Sequence, residues 1–377
     1  MKAYVDCVGC EQRQLDAQRV INYLTTNGLE ITSHPNDCDY AILVTCAVNR
    51  SNEDESIKRL EELENKTPHN SKIVVGGCLP SISPERLPRR VYGTFSPRTM
   101  ENLDDLLREI VRIPMSDIPD PNTSIFDDIE SYRKLSPREE YEQAKNGYKI
   151  RIDHGCLMKC SYCPIRFATG LLKSEDPDKL VDQLKRAASN GEKTIMLVGG
   201  DTGAYGYDRG TRFYNLLERF LEVDGEYRIF IHDFNINWLV RDLQGYLDVF
   251  SISEKKRRIR ATNFPIQSGS DRILRLMKRP YTKEICISVL NSVRNSTPFM
   301  ALGTHIIIGF PDESETDFIE TLDLLRKINF DFVSCFPYYE NKKVASAKIR
   351  NKIPQEVIYD RLERLKNEFD EKVRIYK

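Results

Sequence analysis

Three cysteines crowd one short stretch of the chain, Asp153-His154-Gly155-Cys156-Leu157-Met158-Lys159-Cys160-Ser161-Tyr162-Cys163. Thiolates are soft ligands that suit iron–sulfur clusters and zinc. Cys156, Cys160 and Cys163 follow directly on an apolar run that reads as a strand, so a loop at its carboxyl end can point all three at one centre. A structural zinc site wants four ligands, and the fourth here would have to be His154 or something remote. Three thiolates alone leave one metal of a cluster open to an outside ligand, as a catalytic cluster requires. Packing gives no reason to gather cysteines in a loop flanked by Gly155 and Lys159.

A second trio, Cys10, Cys46 and Cys78, is spread 36 and 32 residues apart. Only the elements between them link the three. Residues 2–8, 40–45 and 72–77 are Val- and Ile-rich runs that read as buried strands, with helical patterns over 15–27 and 52–65 between them. Such alternation implies a parallel sheet with right-handed crossovers. Each cysteine then lies just past the carboxyl end of a strand, on the edge where α/β sheets bind ligands. Cys38 precedes Cys46 by eight residues, roughly 25 Å of extended chain, and falls at the wrong end. Cys7 lies only ~10 Å from Cys10 by the same rule and is a candidate neighbour. Cys286 and Cys335 sit in helix and strand patterns and read as core.

The same alternation resumes at residue 148. Strands are predicted at 148–153, 194–198, 227–233, 249–252, 261–265, 305–308 and 332–336. Helices are predicted at 177–190, 212–223, 237–245, 270–277, 282–295 and 315–328. This repetition predicts a β/α barrel or part of one, with chemistry at the carboxyl ends of its strands. The expected class is therefore α/β, with a parallel α/β domain over 1–112 closed by a helix at 101–111. A linker follows over 113–147, broken by Pro114, Pro119 and Pro121, acidic around 127–130 and ending in a short helix near 137–145. The partial β/α barrel spans 148–345, and residues 346–377 carry one charged helix, at 354–376.

Balanced charge narrows the function classes. The chain has 56 Lys+Arg against 57 Asp+Glu, a net charge of −1, which excludes a globally basic nucleic-acid binder. No apolar run reaches the roughly 18–20 residues of a membrane span, and the N-terminus lacks the apolar core of a signal peptide. The expected setting is cytoplasmic, without a membrane partner, where thiols stay reduced. Ten cysteines there read as metal ligands and core residues, not as disulfides.

Cys-x3-Cys-x2-Cys with an aromatic before the last cysteine resembles the signature of the radical S-adenosylmethionine (SAM) enzymes. The resemblance implies that Cys156, Cys160 and Cys163 hold three irons of a 4Fe–4S cluster, that SAM chelates the fourth, and that Tyr162 lies near the adenine. Gly199-Gly200-Asp201, after the 194–198 run, is similar to the family's glycine-rich turn at the SAM amino group. Glycines let backbone approach closely, and an acidic side chain suits an ammonium. Gln267 and Ser268, at another strand's end, are expected to bind SAM or shape its pocket. Asn235 is a candidate for its ribose or carboxylate. His232 reads as a satisfied buried histidine and Trp238 as helix packing.

With the trio of Cys10, Cys46 and Cys78 added, the chain resembles one subfamily, the methylthiotransferases. The likeness is carried by Gly9-Cys10-x5-Asp16, Thr45-Cys46-Ala47-Val48 and Val75-Gly76-Gly77-Cys78. Further along it is carried by Asp201-Thr202-Gly203-Ala204-Tyr205-Gly206, Pro265-Ile266-Gln267-Ser268-Gly269-Ser270-Asp271, Met277-Lys278-Arg279-x-Tyr281-Thr282 and Ile308-Gly309-Phe310-Pro311-x-Glu313-x-Glu315-x-x-Phe318. It implies a second 4Fe–4S cluster on Cys10, Cys46 and Cys78. In such enzymes one cluster cleaves SAM to a 5′-deoxyadenosyl radical that takes hydrogen from a substrate C–H bond. The other supplies a sulfur, usually methylated by a second SAM. Both are then expected to face one dry cavity, with electrons from a flavodoxin or ferredoxin.

Departures from the family's pattern bear on the substrate. The family normally ends in a small RNA-binding barrel, the TRAM domain, whereas this chain stops at Lys377. The family's Arg-Gly-x-Glu-x-Ser-Arg is here Thr169-Gly170-Leu171-Leu172-Lys173-Ser174-Glu175. Arg13 and Val44 stand where Asn is usual, and Tyr339-Glu340-Asn341-Lys342-Lys343 replaces an expected Arg-x-Gly-Thr. Without an anchoring module, a chain of net charge −1 would grip phosphate backbone weakly. The expected substrate is a peptide or small molecule, with a modified adenosine of tRNA as the alternative. Lys255-Lys256-Arg257-Arg258 reads as a solvated turn, with RNA contact as its other use. Two further readings stay open: a second cluster that only relays electrons or binds substrate, and a zinc scaffold without catalysis.

Overall fold

Six consecutive buried residues, Tyr40–Thr45, form the middle strand of the N-terminal sheet, and such a run has to be covered on both faces. The computed structural model describes residues 1–127 and 136–376. The acidic stretch expected at 127–130 falls, apart from Asp127, outside them. The chain forms two compact units, Met1–Asp128 with Pro164–Gly170, and Ile129–Cys163 with Leu171–Lys377.

In the first unit, β1 (Lys2–Cys7), β2 (Glu30–Ile31), β3 (Tyr40–Thr45), β4 (Lys72–Gly77) and β5 (Val91–Thr94) form one parallel sheet in the order β2-β1-β3-β4-β5. Alternate residues of β3 face opposite sides. Ile42 and Val44 join Val5 and Val74 under Ala17, Val20 and Leu24 of helix Glu11–Thr26. Ala41 and Leu43 join Ile73 and Val75 under Leu60 and Leu63 of helix Arg50–Lys66. That second helix starts where the Asn49 side chain accepts a hydrogen bond from the Asn52 backbone N–H at 2.8 Å. Register aligns Cys7 with Val44 and Val44 with Gly76, so the loops carrying Cys10, Cys46 and Cys78 leave from one edge.

Some elements of this unit differ from expectation. The helix expected at 101–111 is only Asn102–Leu106. Residues 113–127, expected as linker, pack down: Met115 and Ile118 are buried, and Arg19 donates to both of their carbonyl groups. Helix Ile165–Thr169 packs on helix Leu79–Ile82, and its Ala168 joins the core around Cys46 and Cys78.

The second unit carries β6 (Tyr148–Arg151), β7 (Asp153–His154), β8 (Lys173–Ser174), β9 (Thr194–Val198), β10 (Arg228–Ile231), β11 (Ile259–Asn263), β12 (Ala301–Ile308), β13 (Phe332–Pro337) and β14 (Val373–Ile375). Seven of these form an all-parallel sheet in the order β14-β13-β12-β11-β10-β9-β6, unpaired between its two ends as in a partial barrel, while β7 and β8 pair antiparallel. Helices Pro177–Ser189, Phe213–Leu221, Leu243–Lys256, Lys283–Ser296 and Glu315–Ile328 connect them. Phe213, Leu216, Leu217 and Phe220 show the buried stripe of such helices, spaced to face one side.

Two expectations are corrected here. The strand expected at 249–252 is part of helix Leu243–Lys256, in which Tyr246, Val249, Phe250 and Ser253 are buried at helical spacing. A short apolar run does not distinguish a strand from the inner stripe of a helix. The tail is not one helix either: Gln355–Phe369 ends, and β14 then adds to the edge of β13. The alternating Val373 and Ile375 suit a strand, and that edge offers hydrogen bonds a further turn of helix would not use. Among the described residues no helix is long and apolar enough to cross a membrane.

Candidate metal centres

The N-terminal trio gathers around one cation. Arg13, in the first turn of helix Glu11–Thr26, is buried and donates from Nη1 to Cys78 Sγ at 3.2 Å. Its Nη2 pairs with the buried Asp16 carboxylate at 2.9 Å, while its Nε has no partner among the described residues. Burial opposes the charge on Arg13, but Asp16 and the Cys78 and Cys10 thiols outweigh it and hold the guanidinium above its usual value. Cys46 is buried and Cys10 exposed. Burial pushes the Cys46 thiol well up, and the adjacent Cys78 and Cys10 add to the rise. Gly77 makes the close approach of β4 to β3 possible: its φ is +86°, and a Cβ there would stand 2.2 Å from the Thr45 carbonyl oxygen. Cys7 lies near Cys10 and Asp16, which reinforce the upward shift that burial gives its thiol. Cys38 is buried against the Pro35 carbonyl at the start of β3. Cys286 and Cys335 are fully buried.

The trio of Cys156, Cys160 and Cys163 occupies the loop after β7. Cys156 Sγ accepts the Met158 backbone N–H at 3.3 Å and lies 3.8 Å from Asp201 Oδ2. Burial pushes its thiol far up, with Asp201, Cys163 and Cys160 adding to the shift. Here too a buried guanidinium attends. Arg279 donates from Nη2 to the Tyr162 hydroxyl at 2.5 Å, and its Nε and Nη1 have no partner among the described residues. Burial opposes its charge, but Cys160 and Tyr162 outweigh that and hold it well above its usual value.

The glycine turn meets this loop tightly. A Cβ on Gly199 would stand 2.3 Å from Asp153 Oδ2, and one on Gly200 would stand 1.9 Å from the Gly155 carbonyl oxygen. Asp153 Oδ1 accepts the Gly200 N–H at 2.7 Å and the Asp201 N–H at 3.4 Å. Burial raises Asp153 to about 8, reinforced by Asp201. It raises Asp201 to about 7, against the donors Trp238 and Asn235. Trp238 is therefore more than helix packing: its Nε1–H donates to Asp201 Oδ2 at 2.7 Å. Asn235 caps helix Ile236–Arg241 by accepting the Asn237 N–H, and its own N–H donates to Asp201 Oδ1. Gln267 holds a φ of +83°, with its side-chain oxygen buried and unpartnered among the described residues. Ser268 is turned inward, against the Thr321 hydroxyl and the Ser270 N–H. By sequence, Arg13 marks only a departure from the family's pattern, Arg279 only part of a motif and Trp238 only helix packing. None of them, nor Asp153, has a role at the site there, because Cys78, Tyr162 and Asp201 are remote from them in the chain.

These residues fit iron–sulfur clusters. Among the described residues no three His, Cys, Asp or Glu side chains gather tightly enough to hold one metal ion. A cubane asks for a looser triangle, because each thiolate binds a different iron. Metal binding deprotonates all three thiols, and the resulting buried negative charge needs a counter-charge. Each trio has one, a buried guanidinium with unused N–H groups facing no other partner.

A parallel β/α array with three thiols after its first strand and a glycine turn after β9 defines a radical SAM domain, here preceded by a three-cysteine α/β domain. Residues 2–94 match the model described as Uncharacterized protein family UPF0004, and residues 150–325 match the Radical SAM superfamily. A probable threonylcarbamoyladenosine tRNA methylthiotransferase of Pyrococcus horikoshii is 30% identical over 362 residues, 96% of this chain and 82% of that protein. A tRNA-2-methylthio-N(6)-dimethylallyladenosine synthase of Caldicellulosiruptor saccharolyticus is 29% identical, over 95% of this chain and 75% of that protein. Among solved structures, the radical SAM methyltransferase TsrM of Kitasatospora setae shares the fold, with a TM-score of 0.63 at 12% identity over 92% of this chain and 77% of that one. The chain belongs to the radical SAM methylthiotransferase family.

Proposed function

We propose that this enzyme inserts a methylthio group at a C–H bond of an N6-substituted adenosine in tRNA, with two 4Fe–4S clusters, SAM and a flavodoxin or ferredoxin as electron source. Balanced charge and the departures from the family's pattern favour a peptide or small molecule. Relatives that match nearly the whole chain at 28–30% identity and are named for tRNA adenosines weigh more, and they support the alternative reading.

Cys156, Cys160 and Cys163 would hold the cluster that meets SAM, and Cys10, Cys46 and Cys78 the second. When bound, these groups supply the 5′-deoxyadenosyl radical that removes the hydrogen atom and the sulfur that replaces it. The chain's own residues prepare that ground. Arg279 balances charge beside Cys160 and fixes the Tyr162 ring. The Asp153–Asp201 pair, raised by burial, gains from an incoming ammonium, which relieves two carboxylates held close in a dry site. Trp238 and Asn235 orient Asp201 while keeping water from it. Arg13 balances charge beside Cys78 in the other unit.

The observation that carries the reading is the presence of two separate thiol trios, each attended by a buried guanidinium. The test is anaerobic reconstitution. About eight irons per chain are expected, with 5′-deoxyadenosine and a methylthio-nucleoside formed from SAM, reductant and hypomodified tRNA. Replacing Cys156, Cys160 and Cys163 by Ala should abolish both products. Replacing Cys10, Cys46 and Cys78 should leave 5′-deoxyadenosine and stop sulfur transfer; surviving sulfur transfer would reduce the second cluster to a relay. Stoichiometric zinc in a colourless protein overturns the reading.

A further inference from the structure

The barrel unit holds a set of polar side chains to which the chemistry above gives no task. Asp233 follows β10, Asn263 ends β11 and His305 lies on β12. The Asn263 amide donates to Asp233 Oδ1 at 3.0 Å and lies 2.9 Å from His305 Nε2. His305 Nδ1 and His232 Nδ1 each stand 3.6 Å from an Asp233 carboxylate oxygen. Tyr141 stacks on His232 with ring centroids 6.2 Å apart. Direct bonds join this group to the turns that carry the candidate SAM residues Asp201 and Gln267: Thr202 Oγ1–H donates to the His232 carbonyl at 2.8 Å, and Gln267 N–H to the His305 carbonyl at 2.9 Å.

Two features mark it as a binding site. Asn263 Oδ1 and Gln267 Oε1 are buried acceptors with no partner among the described residues, a costly state unless a ligand supplies the donor. Asp233 holds a φ of +49°, a strained state that persists where surroundings over-determine it. Its side chain is 36% exposed and that of His305 19%, so a ligand can reach them. The amide orientation of Asn263 follows from its neighbour, since a carboxylate only accepts and so takes the NH2. His232, His305 and Lys145 hold the Asp233 carboxyl below its ordinary value although burial opposes them, while burial pushes His305 down to about 4. At neutral pH the group is thus an ionised carboxylate, a neutral imidazole and two amide oxygens. It is rich in acceptors.

A radical route at a C–H bond asks no base of these residues, so their use lies in recognition. The relatives' names divide the substrates by the arm on N6. A threonylcarbamoyl arm carries urea N–H and hydroxyl donors. A dimethylallyl arm carries no donor beyond N6–H and would leave Asn263 Oδ1 unsatisfied against hydrocarbon. We propose that Asp233, Asn263 and His305 form the subsite that reads the N6 arm of the adenosine, and that it takes a carbamoyl arm in preference to an isoprenoid one. This rests on the tRNA reading above.

The test offers the reconstituted enzyme two anticodon stem-loops of one sequence, carrying N6-threonylcarbamoyladenosine or N6-dimethylallyladenosine, and measures binding and methylthiolation of each. The carbamoyl stem-loop should be favoured at least about 100-fold, as expected where a site's buried polar groups are met or left unmet. Asp233→Ala and His305→Gln should collapse that ratio to within a few-fold, with iron content and thermal melts checking that each variant is folded. If Asp233→Ala loses iron, His305→Gln carries the test. Equal use of both stem-loops, preference for the isoprenoid one, or a ratio unchanged in the folded variants overturns the subsite while leaving the tRNA reading standing. Failure to bind either stem-loop overturns both.

Discussion

Arg13 shows how much one side chain decides at the N-terminal trio. It is buried, it pairs with a buried carboxylate, and it donates to the Cys78 sulfur. Removing one partner of a buried ion pair leaves the other uncompensated, at a cost of about 3–5 kcal/mol. Arg13→Gln should therefore destabilise the first unit by about 3 kcal/mol, and Arg13→Gln with Asp16→Asn should recover more than half of that in a double-mutant cycle read by denaturant unfolding. The two effects of the cation separate in a redox titration. A positive charge favours the reduced cluster, so Arg13→Gln should lower the reduction potential of the cluster proposed on Cys10, Cys46 and Cys78, and adding Asp16→Asn should reverse part of that drop. An unchanged potential in Arg13→Gln alone would limit Arg13 to a structural role. Where the cysteines lie was legible in the sequence, Cys156, Cys160 and Cys163 in one loop from spacing and Cys10, Cys46 and Cys78 at one sheet edge from their strands. The roles of Arg13, Arg279 and Asp153 were not, because a buried charge gains its meaning only from groups that the fold brings to it.

At the scale of elements, the close pairing of β4 with β3 sets where Cys78 begins, and Gly77 is the residue that permits it. Gly77→Ala adds a left-handed penalty of about 1–2 kcal/mol to a collision with the Thr45 carbonyl group, for which the space is 2.2 Å. Gly28 supplies the control, with a φ of +84° and nothing within 4 Å. Gly28→Ala should cost about 1–2 kcal/mol and keep full iron content. Gly77→Ala should cost clearly more in thermal unfolding and lose iron from the N-terminal trio alone; equal costs would mean that the strand pairing yields without effect. The strands around this site were readable because central parallel strands are continuous apolar runs, as in β3 and β4. Helix Leu243–Lys256 was misread in part as a strand because its inner stripe is such a run as well. The turn from helix to β14 was hidden by charged residues that suit either state, and an open strand edge decided between them.

Across the whole molecule, the two units have separate hydrophobic cores, and each trio of cysteines lies within one unit. Ligand binding stabilises the fold that presents the ligands, so loading each trio should protect mainly its own unit. Hydrogen exchange on apo and reconstituted protein should show protection at the carboxyl ends of β1, β3 and β4 and, independently, around residues 153–163 and 199–205. In the variant with Cys10, Cys46 and Cys78 replaced by Ala, protection of the first set should vanish and iron should fall to about four per chain. The second set should keep its protection, and the converse should hold when Cys156, Cys160 and Cys163 are replaced. The reason is thermodynamic, since a ligand can stabilise only the cooperative segment whose unfolding destroys its site. Loss of protection in both sets from either replacement would mean that the two cores open together, and that metal loading at one trio governs the stability of the whole chain.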